Sequence, residues 1–171
     1  MNLKIRTEQP SDYSEVSEIV RGAFESAEHS DGTEWQLVSK LRESGSYIPE
    51  LALVAEINGT IVGHIMMTKL RIGNVVELAL APLSVAPEYQ RQSIGSQLID
   101  AVHAEAVRLG YHYSVVLGDD RYYSRFGYRP ASDYGILPPF EIEPRFFMAK
   151  QLALSSAFYG SVVEYDPAFG L

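Results

Sequence analysis

The chain has 171 residues, 46% hydrophobic and 21% charged, which fits one packed domain and excludes a disordered tail. Cysteine is absent, which excludes disulfide scaffolds, thiolate metal sites and a cysteine nucleophile. The formal net charge of −8 makes nucleic acids and anionic membranes poor candidate partners. We expect one cytoplasmic domain over 1–171, because no apolar run reaches the roughly 20 residues of a membrane span and the first residues do not look like a signal peptide.

The N-terminal third is predicted to hold a short strand and two helices. Residues 3–7 alternate apolar and polar side chains, which indicates a strand. Asp12 and Glu15 have the spacing of a capping box for a first helix, and a second helix is expected from Thr33. Residues 22–39 contain four acids and no Lys or Arg. The four acids are Glu25, Glu28, Asp31 and Glu34.

The middle of the chain changes to a period of two, which indicates strands. Asn58-Gly59 is a strong hairpin signal between residues 51–57 and 61–70. A second turn leads into residues 75–85, an apolar run typical of a strand covered on both faces. Pro82 interrupts this run and cannot donate to a sheet ladder. It therefore predicts a bulge, or a place where the neighbouring strand has separated.

A helix and a further strand are predicted next. Residues 94–109 carry an apolar stripe at helical spacing, and Gly110 suits the position just after a helix. Residues 113–117 form a short buried strand, so the strand–helix–strand order predicts a right-handed crossover between parallel strands. Residues 121–126 are expected to form a short helical turn ended by Gly127.

The last part of the chain adds two predicted strands, near 146–152 and 161–165. The sequence therefore predicts a mixed α/β domain with an antiparallel front half and a core over about 3–152. Residues 153–171 are expected to form a C-terminal extension with one extra strand. This extension is apolar enough either to cover the sheet or to pair with a second subunit as a homodimer.

The junction at 85–98 is the strongest candidate ligand site. A helix that begins in a loop of small residues presents unpaired N–H groups at the positive end of its dipole, which suits a phosphate. The junction has neither the GxxxxGK[ST] nor the G-x-G-x-x-G pattern. The alternative is that Gly95 only permits close packing of the helix on the sheet.

Two segments resemble motifs of the GNAT N-acetyltransferase superfamily. Gln90-x-x-Ser93-x-Gly95, which follows residues 83–87, resembles the acetyl-coenzyme A signature Q/R-x-x-G-x-G/A of that family. Residues 122–128 resemble its Y-x-x-x-G-F/Y segment, and the order of predicted elements matches over most of the chain.

Gly118-Asp119, followed by Tyr-Tyr and Arg-Phe-Gly, further resembles a branch of small bacterial predicted acetyltransferases. The resemblance implies a GNAT-like α/β fold: a mixed, mostly antiparallel sheet of six or seven strands, flanked by helices. This sheet splays between strands 4 and 5, so Pro82 would lie where a cofactor arm replaces the missing strand partner.

The resemblance implies acetyl-coenzyme A (acetyl-CoA) as the cofactor, bound by strand backbone and by a cradle for its pyrophosphate. Ser93 stands where the family usually has glycine. If that position requires a positive φ, we expect weaker cofactor binding, unless the hydroxyl caps the helix or bonds a phosphate oxygen. The implied cofactor-binding residues are Leu83, Ser84, Val85, Gln90, Arg91, Gln92, Ser93, Ile94, Gly95 and Ser96.

The absence of cysteine leaves no acyl-cysteine route, which favours direct attack in a ternary complex. Tyr123 lies four residues before Gly127, where the resemblance places the general acid. The alternative is that Tyr123 packs in the core while Tyr122 faces solvent. Glu77 is the candidate catalytic base, because it lies close to where some relatives carry a glutamate. The alternatives are that Glu77 is an ordinary edge charge, and that Glu34 or a chain of water molecules acts as the base.

The acceptor side is predicted from the acidic stretch. In the family the segment between the first two helices lines the acceptor groove, which makes Glu34 and Trp35 candidate substrate-binding residues. Their charge and aromatic face would select a cationic amine. The alternative is a solvated acidic loop.

No metal is expected, because the four histidines lack a metal-ligand spacing. We expect His64 to be half-buried in a strand, and His103 and His112 to lie at the surface. The remaining histidine is His29.

The favoured function is an acetyl-CoA-dependent N-acetyltransferase that acts on a primary amine of a small molecule or peptide. The alternative is a catalytically weak acyl-CoA-binding or interaction domain that keeps the fold. No nucleic acid or membrane partner is expected.

Overall fold

The computed structural model describes residues 2–25 and 30–171, so Glu28 and His29 lie outside the described residues. Four helices and nine strands are found in these two ranges. The helices are α1 (Tyr13–Phe24), α2 (Glu34–Arg42), α3 (Ile94–Arg108) and α4 (Asp120–Tyr123). The strands are β1 (Leu3–Thr7), β2 (Ala52–Ile57), β3 (Thr60–Ile72), β4 (Val75–Val85), β5 (Tyr113–Leu117), β6 (Arg129–Pro130), β7 (Ile136–Leu137), β8 (Phe147–Gln151) and β9 (Ser161–Glu164).

The strands form a mixed sheet in the order β1-β2-β3-β4-β5-β8-β6, and β9 pairs with both β3 and β7. Among the neighbouring strands in the order from β1 to β6, only β4 and β5 run parallel. The predicted hairpin joins β2 to β3, with φ of 51° at Asn58 and 82° at Gly59. Both values are positive, as the tightest hairpin turns require. The mixed, mostly antiparallel fold predicted from the sequence is confirmed.

The sheet opens between β4 and β5, as predicted. The two strands pair only through Leu78 and Ala79 of β4, and the rest of β4 has no partner in β5. The register between β3 and β4 shifts between Ile65 and Met67, opposite the part of β4 that contains Pro82. The proline therefore lies in a bulge at the point where the neighbouring strand has left.

Helices cover both faces of the sheet. Successive residues of a strand point to opposite faces, so Leu53 packs on the α3 side and Val54 on the α1 and α2 side. On the α3 side the buried helix residues are Ile94, Leu98, Ile99, Val102 and Ala106. On the other side they are Val16, Val20, Val38 and Leu41.

The C-terminal segment covers the remainder of the α1 and α2 face. Val163 of β9 is buried in a cluster with Ile72 and Tyr113, and Phe158, Tyr165 and Phe169 pack against the same cluster. The sequence left open whether this segment covers the sheet or faces a second subunit, and in the structure it covers the sheet.

The ends of two helices show how local signals set the element boundaries. Gly110, with φ of 92°, donates to Val107 O at 3.0 Å, and Tyr111 N donates to Ala106 O at 3.1 Å, a complete C-terminal cap at the predicted glycine. The predicted capping box from Asp12 to Glu15 is wrong. A turn at Pro10–Asp12 precedes α1, so Asp12 instead accepts from Gln9 N at 2.7 Å.

None of the helices within the described ranges is long and apolar enough to cross a membrane.

Candidate active site

A cleft of about 640 Å³ lies beside the part of β4 that has separated from β5. Its wall combines the end of β4, the loop before α3, the first turn of α3, the α4 region and the end of α1. The lining residues are Ala23, Phe24, Leu83, Val85, Tyr89, Gln90, Arg91, Ser93, Ile94, Gly95, Ser96, Tyr122, Tyr123 and Arg125.

The loop before α3 turns backbone N–H groups toward the cleft. Arg91 and Ser93 have φ of 63° and 65°, in the left-handed region, which lets nearby N–H groups converge on one anion. The first bond within the helix runs from Gln97 N to Ser93 O at 3.1 Å, so the N–H groups of 94–96 have no partner in the helix. The loop and the helix end therefore form an anion cradle.

Ser93 occupies the positive-φ position that the sequence indicated. Its hydroxyl makes no capping hydrogen bond to the helix. A non-glycine residue in this conformation costs about 1 kcal/mol. The predicted compensation through a helix cap is therefore wrong.

Gly95 is required by a close contact across the cleft. A Cβ atom built at this position would lie 2.6 Å from the hydroxyl oxygen of Tyr122, whereas Leu83 and Val85 of the sheet would be 3.9 Å away. A side chain at residue 95 would therefore collide first with Tyr122, and not with the sheet on which the helix packs.

Tyr122 and Tyr123 both contribute to the cleft wall. Their rings meet edge to face with centroids 5.1 Å apart, and Tyr123 meets Tyr128 in the same way at 5.6 Å. Gly118 lies against the Tyr123 ring, since a Cβ there would be 2.5 Å from Cε2. Burial raises the pKa of the Tyr123 hydroxyl above its usual value, which keeps it protonated at neutral pH.

The charge of the cleft differs from that of the whole protein. Arg91 and Arg125 line it, and no Asp or Glu within residues 2–25 and 30–171 does. In a chain with a net charge of −8, such a wall favours an anionic ligand.

Comparison with known proteins agrees with this geometry. The family described as acetyltransferase (GNAT) domain matches residues 49–130. YjhQ of Escherichia coli strain K12, an uncharacterized N-acetyltransferase, is 35% identical over 137 residues, which cover 77% of this chain and 73% of YjhQ. The chain belongs to the GNAT acetyltransferase family. The predicted family, its small bacterial branch and the enzyme class are thereby confirmed.

Two solved GNAT structures are similar over nearly their whole length. A GNAT acetyltransferase from Brucella melitensis in complex with acetyl-CoA has a TM-score of 0.82 and 29% identity, and covers 98% of each chain. YhbS from Escherichia coli in complex with CoA has a TM-score of 0.89 and 28% identity, and covers 100% of this chain and 93% of YhbS.

The predicted cofactor residues of this GNAT chain mostly meet in the cleft, with two exceptions. Ser84 is 2% exposed, and its side chain lies on the opposite face of the sheet beside its cross-strand partner His64. The contact predicted for Ser84 is through its backbone, so the direction of its side chain does not test it. Gln92 is outside the cleft wall, and its amide donates to Glu88 O at 3.3 Å. Gln90 lines the cleft but also donates to Val85 O at 3.0 Å, which fixes the loop on the strand end.

Glu77 does not line the cleft. Its side chain is 2% exposed, and Oε1 accepts from the backbone N–H of His112 at 2.8 Å and of Tyr113 at 3.1 Å. The carboxylate thus anchors the start of β5. This buried anchoring position differs from both the catalytic base that the resemblance implied and the alternative of an ordinary edge charge.

Glu34 and Trp35 line a second cavity, of about 470 Å³, which shares Phe24 with the cleft. The Arg21 guanidinium lies 4.6 Å from the Trp35 ring centroid, so the protein's own cation occupies the aromatic face predicted for a substrate. Glu34 Oε1 accepts from the Ser30 hydroxyl, and Oε2 is buried without a partner among the described residues.

Two histidines are more buried than predicted. His64 is fully buried, with Nε2 3.1 Å from Glu8 Oε1. His103 is 7% exposed, with Nε2 2.8 Å from the Tyr128 hydroxyl, and burial lowers its pKa to about 4. Within residues 2–25 and 30–171, no group of three or more His, Asp or Glu side chains could hold a metal.

Sequence reasoning missed five residues of the cleft wall. Tyr122 and Arg125 belong to the 122–128 segment that resembles the family motif, but the sequence predicts a functional role only for Tyr123 in it. The other three had no such signal, because they lie in α1 or in the turn after β4 and reach the cleft only through the fold. They are Ala23, Phe24 and Tyr89.

Proposed function

We propose that this chain is an N-acetyltransferase that uses acetyl-CoA and transfers the acetyl group to a primary amine by direct attack. The observation that carries the proposal is a cleft whose wall, among the described residues, holds no carboxylate but does hold the N–H groups at the start of α3, the Arg91 and Arg125 side chains and Tyr123. The relatives crystallised with acetyl-CoA and CoA support the same ligand.

The residues present fit coenzyme A. The positive φ at Arg91 and Ser93 and the N-terminal N–H groups of α3 suit a pyrophosphate. Gly95 leaves room for the Tyr122 hydroxyl beside the start of α3. On the β5 side, the backbone of β4 beyond Ala79 has no sheet partner, which leaves its polar groups available to an extended ligand.

Bound acetyl-CoA supplies a thioester carbonyl as the acetyl donor. The unpaired backbone N–H groups of β4 are placed to polarise a carbonyl, as donors of an oxyanion hole do. Tyr123 holds a proton on its hydroxyl at neutral pH and would supply it to a thiolate leaving group. The described cleft wall contains no carboxylate or imidazole, so a base for the amine proton would be either water or a carboxylate of the adjoining cavity.

The second cavity supports a cationic amine of a small molecule or peptide as acceptor. Four carboxylates line it, and Arg21 is its one basic residue among the described residues. The unpartnered Glu34 Oε2 supplies a buried negative end that a second positive group of the acceptor can neutralise. The four carboxylates belong to Glu18, Glu25, Asp31 and Glu34.

Release of free thiol from acetyl-CoA across an amine panel tests this proposal. We expect polyamines, aminoglycosides and basic peptides to react at least about tenfold faster than neutral or acidic amines, since a buried carboxylate left without a partner costs about 3–5 kcal/mol and tenfold corresponds to about 1.4 kcal/mol. Glu34→Gln should reduce this selectivity, while Glu43→Gln, at the exposed end of α2, should leave it unchanged.

Three results would count against the proposal in different ways. Faster reaction with neutral or acidic amines would refute the acceptor class alone. Binding of CoA without turnover on any amine would favour the alternative, a catalytically weak acyl-CoA-binding domain. No binding of CoA at millimolar concentration would refute the cofactor as well.

A further inference from the structure

Two cations in the cleft have no carboxylate partner among the residues that the structure describes. Seven of the ten arginines form ion pairs within residues 2–25 and 30–171. The three without an ion pair in these ranges are Arg71, Arg91 and Arg125. Two of these three line the cleft, in a protein whose acids outnumber its bases. Unneutralised guanidinium groups facing a cavity suit phosphate oxygens.

The two cations lie on different walls of the cleft. Arg91 belongs to the loop before α3, whereas Arg125 follows α4. The Arg125 Cζ lies 5.3 Å from the Tyr122 ring centroid and 5.4 Å from that of Phe126, so aromatic faces support the guanidinium without neutralising it. The Tyr122 hydroxyl reaches Gly95 at the start of α3, so this one side chain connects the two walls.

We propose that Arg125 binds the 3′-phosphate of coenzyme A. Coenzyme A carries two separate anionic groups, a pyrophosphate and a phosphate on the ribose. The N–H groups of 94–96 together with Arg91 form a cradle for the first, which leaves Arg125, after α4, for the second. The assignment rests on the proposed function, and it makes Arg125 the residue that distinguishes CoA from 3′-dephospho-CoA.

Calorimetric binding of both ligands tests the assignment without any turnover. We expect the wild type to bind CoA about tenfold or more tightly than 3′-dephospho-CoA, as one charge-assisted contact provides. Arg125→Gln should weaken the binding of CoA alone, so that the affinities for the two ligands come within about twofold of each other. Arg91→Gln should weaken the binding of both ligands and keep the preference for CoA over 3′-dephospho-CoA. Arg71→Gln is the matched control and should change neither affinity, because Arg71 lies outside the cleft wall and has no ion pair among the described residues.

Two outcomes would overturn the assignment while leaving the proposed function intact. One is an equal loss of affinity for both ligands in Arg125→Gln, which would show that Arg125 contacts the adenine or the pyrophosphate. The other is an unchanged preference in that variant. No binding of either ligand to the wild type would overturn the proposed function and this assignment together. Arg125→Lys, which keeps the charge, should retain part of the preference, and thermal melts should show that every variant is folded.

Discussion

Tyr123 is held in the cleft wall by packing on three sides. Its ring contacts Tyr122, Tyr128 and the backbone at Gly118, and its hydroxyl makes no hydrogen bond to another described side chain. A rigid ring with an uncommitted, protonated hydroxyl is what a proton donor to a leaving thiolate requires. The same packing explains why residue 118 is glycine, since any side chain there would displace the ring.

Tyr123→Phe should lower turnover by roughly 100-fold or more, because general acid catalysis contributes at least that much. The affinity for CoA should change by less than about threefold, since the ring and its contacts are kept. Steady-state kinetics together with calorimetry would separate the two effects. Unchanged turnover would remove Tyr123 from the mechanism.

Two further tyrosine variants sharpen this test. Tyr159→Phe is the matched control, because Tyr159 is 95% exposed and far in sequence from the cleft residues. Tyr122→Phe tests the competing tyrosine, whose hydroxyl faces Gly95. If Tyr122→Phe, and not Tyr123→Phe, abolishes turnover, then the general acid is the other residue of the pair.

At the scale of elements, a buried carboxylate joins β1, α2 and β3. Glu8 follows β1, its side chain is fully buried, and its oxygens accept from Arg42 of α2 at 2.8 and 3.0 Å and from the Tyr47 hydroxyl at 2.7 Å. His64 of β3 lies 3.1 Å away. Burial alone raises the pKa of Glu8, but the hydrogen bonds from His64, Arg42 and Tyr47 outweigh it and lower the pKa to about 2.

Glu8 should make the fold sensitive to acid. Its pKa is about 2 in the folded protein against 4.5 ordinarily, so its stabilisation is present above pH 4.5 and is lost as the pH falls toward 2. Glu8→Gln should lower the free energy of unfolding at pH 7 by roughly 3 kcal/mol, because it leaves Arg42 buried without a counter-charge. The loss of stability between pH 4.5 and 2 should also become shallower.

Urea unfolding at pH 7 and over the acid range would measure both effects. Glu43→Gln, at an exposed position just after α2, is the control and should change the free energy of unfolding by less than about 0.5 kcal/mol. Equal stability of Glu8→Gln and the wild type at pH 7 would show that the Glu8 contacts contribute nothing net.

Elements with local signals were predictable from the sequence. Asn58-Gly59 sets a turn through its own φ values, Gly110 ends α3 in the same way, and Pro82 marks the bulge because it lacks an N–H. The Glu8 contacts were not predictable, since Arg42 and His64 lie 34 and 56 residues along the chain and no periodic pattern encodes such pairs.

The candidate site also has a predictable part, made of contiguous residues, and a part that depends on contacts between distant segments. The loop at 90–96 is contiguous, so its motif was readable, and most of its residues do line the cleft. The contact of Gly95 with Tyr122 depends on how α4 packs against α3, which no local pattern records. Glu77 was misassigned for a related reason, because its backbone partners at the start of β5 lie 35 and 36 residues further on.

At the scale of the whole molecule, charge and apolar surface are both unevenly distributed. The protein has a net charge of −8, yet no acid among the described residues lines the cleft, whereas four acids line the adjoining cavity. The C-terminal segment shows a similar asymmetry: Val163 is 2% exposed, whereas its neighbour Val162 is 52% exposed. One edge of β9 pairs with Arg71 and Ile72 of β3, so the segment extends the sheet as well as covering it.

Deletion of residues 153–171 should therefore damage the whole fold and not only its edge. It would expose Leu70, Ile72 and Tyr113, each at most 1% exposed in the structure, and loss of a single such buried contact already costs about 2–5 kcal/mol. We expect the truncated chain to bind a hydrophobic dye and to lose its cooperative unfolding transition. Tyr159→Ser, at a 95% exposed position of the same segment, should keep the transition within about 0.5 kcal/mol of the wild type. A truncated chain that unfolds cooperatively at the wild-type urea concentration would show instead that residues 3–152 fold without their extension.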